Sequence, residues 1–364
     1  MNTLQDYAYK LGCGRLIFEH QALEKLGAEI RLIGGSAYVI GGEQADRAVG
    51  DSIRRQLCDA GVRFEAEVYP GACTLEKASA ITARCHAQQY DVIIGFGGGR
   101  ILDLVKLAGD MAGLPVATIP TIAATCAAYT PLSVAYTAEG RCGDTWYFQQ
   151  EVRLVLCDLD VLCRQPPRYL AAGLLDAMAK QVEIGHYLDR LPGDRQDVLL
   201  AQMMARSCFE DLTALGPQAV EQLRRGAPGP ELERCIFHAI VTTGLISGTA
   251  RGAYQAALAH ALYYAVRTLY PVQSRGWLHG EIVAVGLLLQ AAFLGQEELA
   301  AQLRAFMRAL RMPLTLAEIG LPEDDGALAA LAAHPSLQVL YTDPQPDEAR
   351  VRRLLRSELT QWKG

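Results

Sequence analysis

The stretch Asp91-Val-Ile-Ile-Gly-Phe-Gly-Gly-Gly-Arg-Ile-Leu-Asp-Leu-Val-Lys106 decides the fold. An apolar run enters three consecutive glycines, Gly97, Gly98 and Gly99, and a helical pattern begins at Ile101. Glycines at a strand-to-helix turn let backbone come close to a diphosphate, and the new helix start offers free N–H groups with a partial positive charge. Turns also take glycine for positive φ alone, so both readings stand at this point. Asp103 and Lys106 follow Gly99 by four and seven residues, on the first two helical turns, close to whatever the turn binds.

Working outward, short Val- and Ile-rich runs alternate with amphipathic segments over the first ~160 residues, the pattern of β-α-β units. Expected strands are Ala37–Ile40, Arg63–Val68, Asp91–Gly95, Val116–Ile119, Leu132–Tyr136 and Leu154–Asp158, with helices such as Gln44–Ala60 and Thr74–Gln88 between them. Strands separated by helices predict a mainly parallel sheet covered on both faces. Beyond Arg164 strand signals fade. Helices are expected over Arg168–Leu188, Asp197–Leu215, Pro230–Thr249, Gly252–Tyr270, Gly280–Leu294, Leu299–Leu310 and Glu348–Trp362. The reading is an α/β dinucleotide-binding domain over 1–163 followed by an all-α domain over 164–364.

Composition bounds the function. At 364 residues, 51% hydrophobic and 20% charged, the chain has ample material for a large core. A net charge of -6 is a poor match for nucleic acid, whose binding rests on Lys and Arg neutralising phosphates. The longest apolar run, Ile282–Leu294, is interrupted by Gln290 and falls short of the ~20 residues that span a bilayer. No basic segment followed by an apolar one opens the chain, which predicts a cytoplasmic protein with no membrane partner. The ten cysteines contain no C-x-x-C pair and read as reduced, mostly buried thiols.

A second loop, Pro120-Thr121-Ile-Ala-Ala-Thr125-Cys126-Ala-Ala-Tyr129, follows the strand at Val116–Ile119 and faces the carboxyl edge of the sheet, where open α/β sheets bind ligands. Thr121 and Thr125 offer hydroxyls to phosphate or ribose; a tight connection built of small residues is the plainer reading. In the helical half, Asp176, His260 and His279 stand in apolar surroundings, 84 and then 19 residues apart. A buried His is either a hydrogen-bonded core residue or a ligand, and two His with a carboxylate match an open three-ligand zinc or iron(II) site. The spacing alone does not choose.

Six motifs in order carry a resemblance. Gly97-Gly-Gly-Arg-Ile-Leu-Asp103-Leu-Val-Lys106, Leu114-Pro-Val-Ala-Thr-Ile-Pro120-Thr-Ile-Ala-Ala-Thr125, Leu132-Ser133-Val-Ala-Tyr136, Ala172-Gly-Leu-Leu-Asp176-Ala, Ala259-His260-Ala-Leu and Leu278-His279-Gly280-Glu281 resemble the glycerol dehydrogenase branch of the iron-containing (group III) alcohol dehydrogenases. The resemblance covers roughly residues 8–320. It implies an NAD or NADP oxidoreductase with the metal and nicotinamide in the cleft between two domains. It implies that Asp176, His260 and His279 ligate one divalent metal, zinc or iron, and are the catalytic set. Gly97, Gly98, Gly99 and Asp103 would hold the dinucleotide, with Thr121, Thr125, Leu132 and Ser133 along its diphosphate and nicotinamide. A homo-oligomer acting on a small-molecule substrate is the matching expectation.

Departures from the family pattern bear on the substrate. An acidic residue is usual where this chain has Cys126, and the run from Pro120 to Ser133 is similar to the hydroxycarboxylate dehydrogenase subgroup, which reduces short 2-oxo acids. Removing a carboxylate removes a repulsive charge against an acid. Tyr129 is expected to narrow the pocket toward short chains. The second His of the usual His-Ala-x-His is Tyr263, whose hydroxyl is the candidate substitute in a proton relay. The residues after Ile40 are Gly41-Gly42-Glu43, without the Asp near Gly42 that many relatives use to select NAD, which opens the way to NADP, while Glu43 next door pulls toward NAD. The expected function is therefore hydride transfer between NAD(P)(H) and a short 2-hydroxy or 2-oxo acid. A glycerol or small-polyol dehydrogenase is the alternative, and a lyase of the dehydroquinate synthase-like sugar phosphate cyclase type the more distant one.

Overall fold

The computed structural model describes residues 12–137, 141–188, 195–250, 254–338 and 347–360. Eight strands are described: β1 (Leu16–Glu19), β2 (Ser36–Gly41), β3 (Arg63–Val68), β4 (Val92–Gly97), β5 (Val116–Pro120), β6 (Leu132–Tyr136), β7 (Cys142–Tyr147) and β8 (Leu154–Asp158). Six form one parallel sheet in the order β1-β8-β5-β4-β2-β3. Strands β2, β4, β5 and β8 are buried at every residue, as strands covered on both faces must be, while the edge strand β3 alternates toward solvent. Alternate residues sort to opposite faces. Val39, Ile94 and Ile119 pack with Leu26, Ile53 and Leu57 on one side. Ile40 and Ile93 pack on the other side with Ile81 of helix α1 (Leu75–Gln88) and Leu104 of α2 (Gly99–Ala112).

Strand order reverses between β2 and β4, so the crevice at their carboxyl ends is the topological switch point of the sheet. Gly41-Gly42 end one of these strands and Gly97-Gly98 the other. Gly97 sits at φ 143°, a conformation that side chains disfavour, and pairs in register with Pro120.

After β8 the chain is helical. The helices that matter for the site are α3 (Pro167–Leu188), α4 (Gln196–Arg225), α5 (Leu258–Leu269) and α6 (His279–Phe293). They share one large apolar core, which reaches the sheet through Leu102, Ala123 and Val155.

Three expectations need correction, and one strand was not expected. Leu132–Tyr136 is a strand but leaves the parallel sheet, forming an antiparallel hairpin with β7. Strand β1, only four residues long, was too short to register as a periodic signal, yet it extends the sheet by pairing with β8. Helix α4 does not end at Leu215 but runs through Pro217 to Arg225. Its buried stripe of Ala205, Cys208 and Leu212 continues past the proline as Ala219, Val220 and Leu223, so tertiary packing overrides the missing N–H. Helix α5 begins at Leu258, not Gly252, and Gly252 itself lies outside the described residues, as does Trp362 of the expected last helix. Nine described cysteines are free thiols, six of them buried.

Candidate functional site

Helix α3 carries Asp176 at the centre of a buried run from Leu170 to Lys180. His260 lies in the first turn of α5 and His279 is the first residue of α6. The start of α6 is fixed by Glu281, whose Oε2 accepts from the Leu278 N–H at 2.8 Å while Arg168 of α3 donates to both its oxygens at 2.5 and 2.7 Å. This clasp sets where His279 emerges. The helices meet backbone to backbone at glycines beside the polar residues. A Cβ on Gly280 would stand 1.9 Å from the Ala172 carbonyl oxygen, and one on Gly286 2.6 Å from that of Ala259.

The result is that His260 Nε2 lies 3.3 Å and His279 Nε2 3.2 Å from Asp176 Oδ1. One donor atom from each of the three lies within 4.8 Å of the others. Asp176 Oδ1 is buried yet has no aligned hydrogen-bond donor. A buried carboxylate oxygen with two nearby nitrogens and no bond to either is the arrangement a central cation would complete.

Glu183, two turns after Asp176 on α3, supports this arrangement and was missed by sequence reasoning. It is fully buried. Its Oε2 pairs with His260 Nδ1 at 2.5 Å, and its Oε1 accepts from the Ala257 and His260 N–H groups at 2.6 and 2.9 Å. Gln290 Oε1 of α6 accepts from the Leu258 N–H at 2.6 Å. The α5 N-terminus is thus capped by side chains of two other helices, which is why local sequence did not locate it. A carboxylate on Nδ1 fixes the ring so that Nε2 faces Asp176, the support that metal-ligating histidines commonly have. The only advance signal was spacing, because Lys180 and Glu183 fall four and seven residues after Asp176 on the same helical face.

Charges in the cluster oppose one another. Burial drives the Asp176 carboxyl up, but the two imidazoles and Lys180 outweigh it and hold it well below its ordinary value. Burial likewise opposes Glu183, and His260 and Lys180 keep it lowered. His260 resists burial through Glu183 and Asp176 and is raised, whereas burial leaves His279 lowered despite Asp176.

The glycine turn and the second loop adjoin. The Thr121 N–H donates to the Gly97 carbonyl at 3.1 Å, Thr125 Oγ1 would stand 3.2 Å from a Cβ on Gly99, and Ile122 flanks Gly98. The same loop rests on α3, where Gly173 meets the Ala123 carbonyl and Gln165 Oε1 accepts from the Ala123 N–H at 2.7 Å. Cys126 is thereby brought within electrostatic reach of Asp176 and Lys180, and burial pushes its thiol up to about 12.

Other residues turn elsewhere. Tyr129, expected to narrow the pocket, is buried against Gly244 and reaches Cys13. Ser133 is fully buried, its hydroxyl donating to the Asp103 carbonyl at 2.8 Å, and the Asp103 carboxylate meets the Val134 N–H and Lys106. Lys106 Nζ donates to the Thr130 and Leu132 carbonyls at 2.9 and 2.5 Å. Asp103, Lys106, Leu132 and Ser133 therefore bind the β6–β7 hairpin to α2. Tyr263 packs its ring edge-on against His279, centroids 4.2 Å apart, and its hydroxyl lies 2.8 Å from that of Tyr136.

Residues 13–156 match the iron-containing alcohol dehydrogenase family. The chain is 32% identical over 293 residues to hydroxycarboxylate dehydrogenase A of Escherichia coli, covering 76% of this chain and 78% of that protein. It is 29% identical over 343 residues to a glycerol dehydrogenase of Thermotoga maritima, covering 92% and 91%. The solved structure of a probable glycerol dehydrogenase from Sinorhizobium meliloti shares the fold, with a TM-score of 0.83 at 22% identity and 96% coverage of each chain. No described helix is long and apolar enough to cross a membrane. With the parallel sheet, the helical half and this similarity in hand, the chain belongs to the iron-containing alcohol dehydrogenase family of oxidoreductases.

Proposed function

We propose that the protein transfers hydride between a nicotinamide dinucleotide and a short 2-hydroxy or 2-oxo acid, with Asp176, His260 and His279 holding a divalent metal, zinc or iron. Residues 1–163 form the dinucleotide-binding domain in this reading and 164–364 the metal and substrate domain. The observation that carries it is the unsatisfied Asp176 Oδ1 between two imidazole nitrogens at 3.2 and 3.3 Å. When bound, the cofactor supplies or accepts hydride and the metal polarises the substrate oxygen. Glu183 holds the His260 ring in the tautomer that leaves Nε2 free. The glycines at 97–99 and the N–H groups opening α2 receive the diphosphate at the switch point, with Thr121 and Thr125 beside them. Cys126 supplies a neutral wall near Asp176, where a carboxylate would repel an acid. Similarity to hydroxycarboxylate dehydrogenase A supports the acid substrate.

A second reading, a glycerol or small-polyol dehydrogenase, is favoured by similarity over more than nine-tenths of the chain to the Thermotoga maritima enzyme. The test is nicotinamide absorbance with glycerol, 1,2-diols, and short 2-hydroxy and 2-oxo acids, each with NAD and NADP, before and after chelator treatment and metal return. A higher kcat/KM for a 2-oxo acid than for glycerol, lost with the metal, is the expected result. A preference for glycerol selects the second reading, and full activity in metal-free protein overturns both.

A further inference from the structure

Among the described residues two lysines are buried, both on helices that border the site, and they differ in one respect. Lys106 is satisfied by two carbonyls and by Asp103. Lys180 is 5% exposed and, among the described residues, makes no hydrogen bond and no ion pair. Its nitrogen is not among the sealed polar atoms, so the ammonium opens onto accessible space. Burying an ammonium without a partner is costly, and a chain that keeps one has a reason to.

We infer that Lys180 is a substrate-binding residue that takes the carboxylate of the acid. The inference rests on the 2-oxo acid reading above. Lys180 is buried one turn after Asp176 on the same helix, and its charge is felt by Cys126, Asp176, Glu183, His260 and His279. Glu183 is taken up by His260 and two N–H groups, and in the reading above Asp176 Oδ1, unsatisfied between the imidazoles, is given to the metal. Cys126 is a thiol and no counterion. The nearby carboxylates lower the cost of this charge, but none forms an ion pair with the ammonium, so its N–H donors are left for an arriving anion. A 2-oxo acid carries its carboxylate on the atom next to the reacting carbonyl. Two groups one helical turn, about 5.4 Å, apart on one face can meet both ends of such a molecule. Glycerol has no charge to offer.

The test compares wild type, Lys180→Met and Lys180→Arg as metal-loaded enzymes. Pyruvate and hydroxyacetone are the paired substrates, differing in a carboxylate against a hydroxymethyl group. Binding of oxamate, an unreactive acid of the same shape, is followed by calorimetry. Lys180→Met is expected to lower kcat/KM for pyruvate at least about thirtyfold, about 2 kcal/mol, mainly through KM, and to weaken oxamate equally. The pyruvate-to-hydroxyacetone ratio should fall at least about tenfold, and Lys180→Arg should restore part of it. Because an unpaired charge is removed, the metal-free Lys180→Met protein should melt no lower than wild type. Equal losses on both substrates would make Lys180 a proton donor or a structural residue and overturn the inference, as would unchanged oxamate binding. If wild type binds no oxamate and reduces neither pyruvate nor glyoxylate, the 2-oxo acid reading itself fails, and this is seen before any variant is made.

Discussion

Replacing Gly280 by alanine is a perturbation whose size can be worked from the structure. The new Cβ would stand 1.9 Å from the Ala172 carbonyl oxygen and 2.6 Å from its carbon, both backbone atoms of α3 that cannot swing aside. Real Cβ atoms do not approach below 3.0 Å, so the first turn of α6 must retreat by about 1.1 Å, the difference between the two distances. His279 is the preceding residue and Asp176 lies one turn beyond Ala172, so the retreat opens the pair now 3.2 Å apart by a comparable amount. Metal–ligand distances tolerate only about 0.2 Å. A ligand displaced by about 1 Å leaves the coordination sphere, and misplacement of that order costs about a hundredfold in rate. Overpacking should cost a further ~1–3 kcal/mol of stability. Chelator-competition titration of metal, kcat/KM and thermal unfolding are the assays. Gly276→Ala is the control, because nothing lies within 4 Å of a Cβ there. If Gly280→Ala binds metal as tightly as Gly276→Ala and turns over at the same rate, then either the helix contact does not set the geometry or the three residues are not ligands.

Two further changes separate the roles of neighbouring groups. Glu183→Gln should weaken metal binding about 10- to 100-fold at neutral pH, measured by equilibrium dialysis. It should also move the acid limb, because Glu183 raises the His260 proton affinity. A raised His260 holds its proton until the pH climbs above the ordinary imidazole value and so competes with metal there. His279, lowered by burial, gives up its proton at lower pH than His260 and competes with metal less. Wild-type affinity should therefore fall as pH drops through the His260 value, and the variant's fall should start at lower pH; an unmoved limb would exclude His260 as the competing site. Cys126→Asp should reverse the preference between a 2-oxo acid and glycerol in paired kcat/KM measurements, and an unchanged ratio would show that position 126 does not set substrate class.

Most of the sheet was legible because its central strands are short apolar runs between helices and its edge strand Arg63–Val68 alternates apolar with charged residues. Arg63–Val68 and Leu154–Asp158 have the ends expected of them. What was lost was information not local to the chain. Whether Leu132–Tyr136 joins the sheet depends on Cys142–Tyr147, and that partner's Cys-Gly-Asp-Thr-Trp-Tyr has no apolar alternation to announce it. Pro217 is a stop signal unless the packing beyond it is known. In the site, Asp176, His260 and His279 were picked out by polar character in apolar surroundings, and the helices bring them together. Glu183 and Lys180 are equally buried but read as ordinary helix-forming charges. Nothing about a Glu or a Lys on a helix distinguishes a solvated one from one facing inward, until the rotation of that helix is fixed by Asp176. The partners of Ser133 and Tyr129 were equally illegible, because the groups they meet, the Asp103 carbonyl and Gly244, come from distant parts of the chain.

The β6–β7 hairpin has a consequence for cooperativity. Two strands alone are marginally stable in water, and this pair gains no neighbour from the main sheet. Its persistence is supplied from outside, by the Lys106 and Ser133 bonds to α2 on one side and by the Tyr136–Tyr263 hydroxyl pair to α5 on the other. The hairpin is therefore a tie between the half of the chain that holds the glycine turn and the half that holds the histidines. Separating the two halves would break that tie, so the hairpin is expected to open together with the contact between them rather than alone.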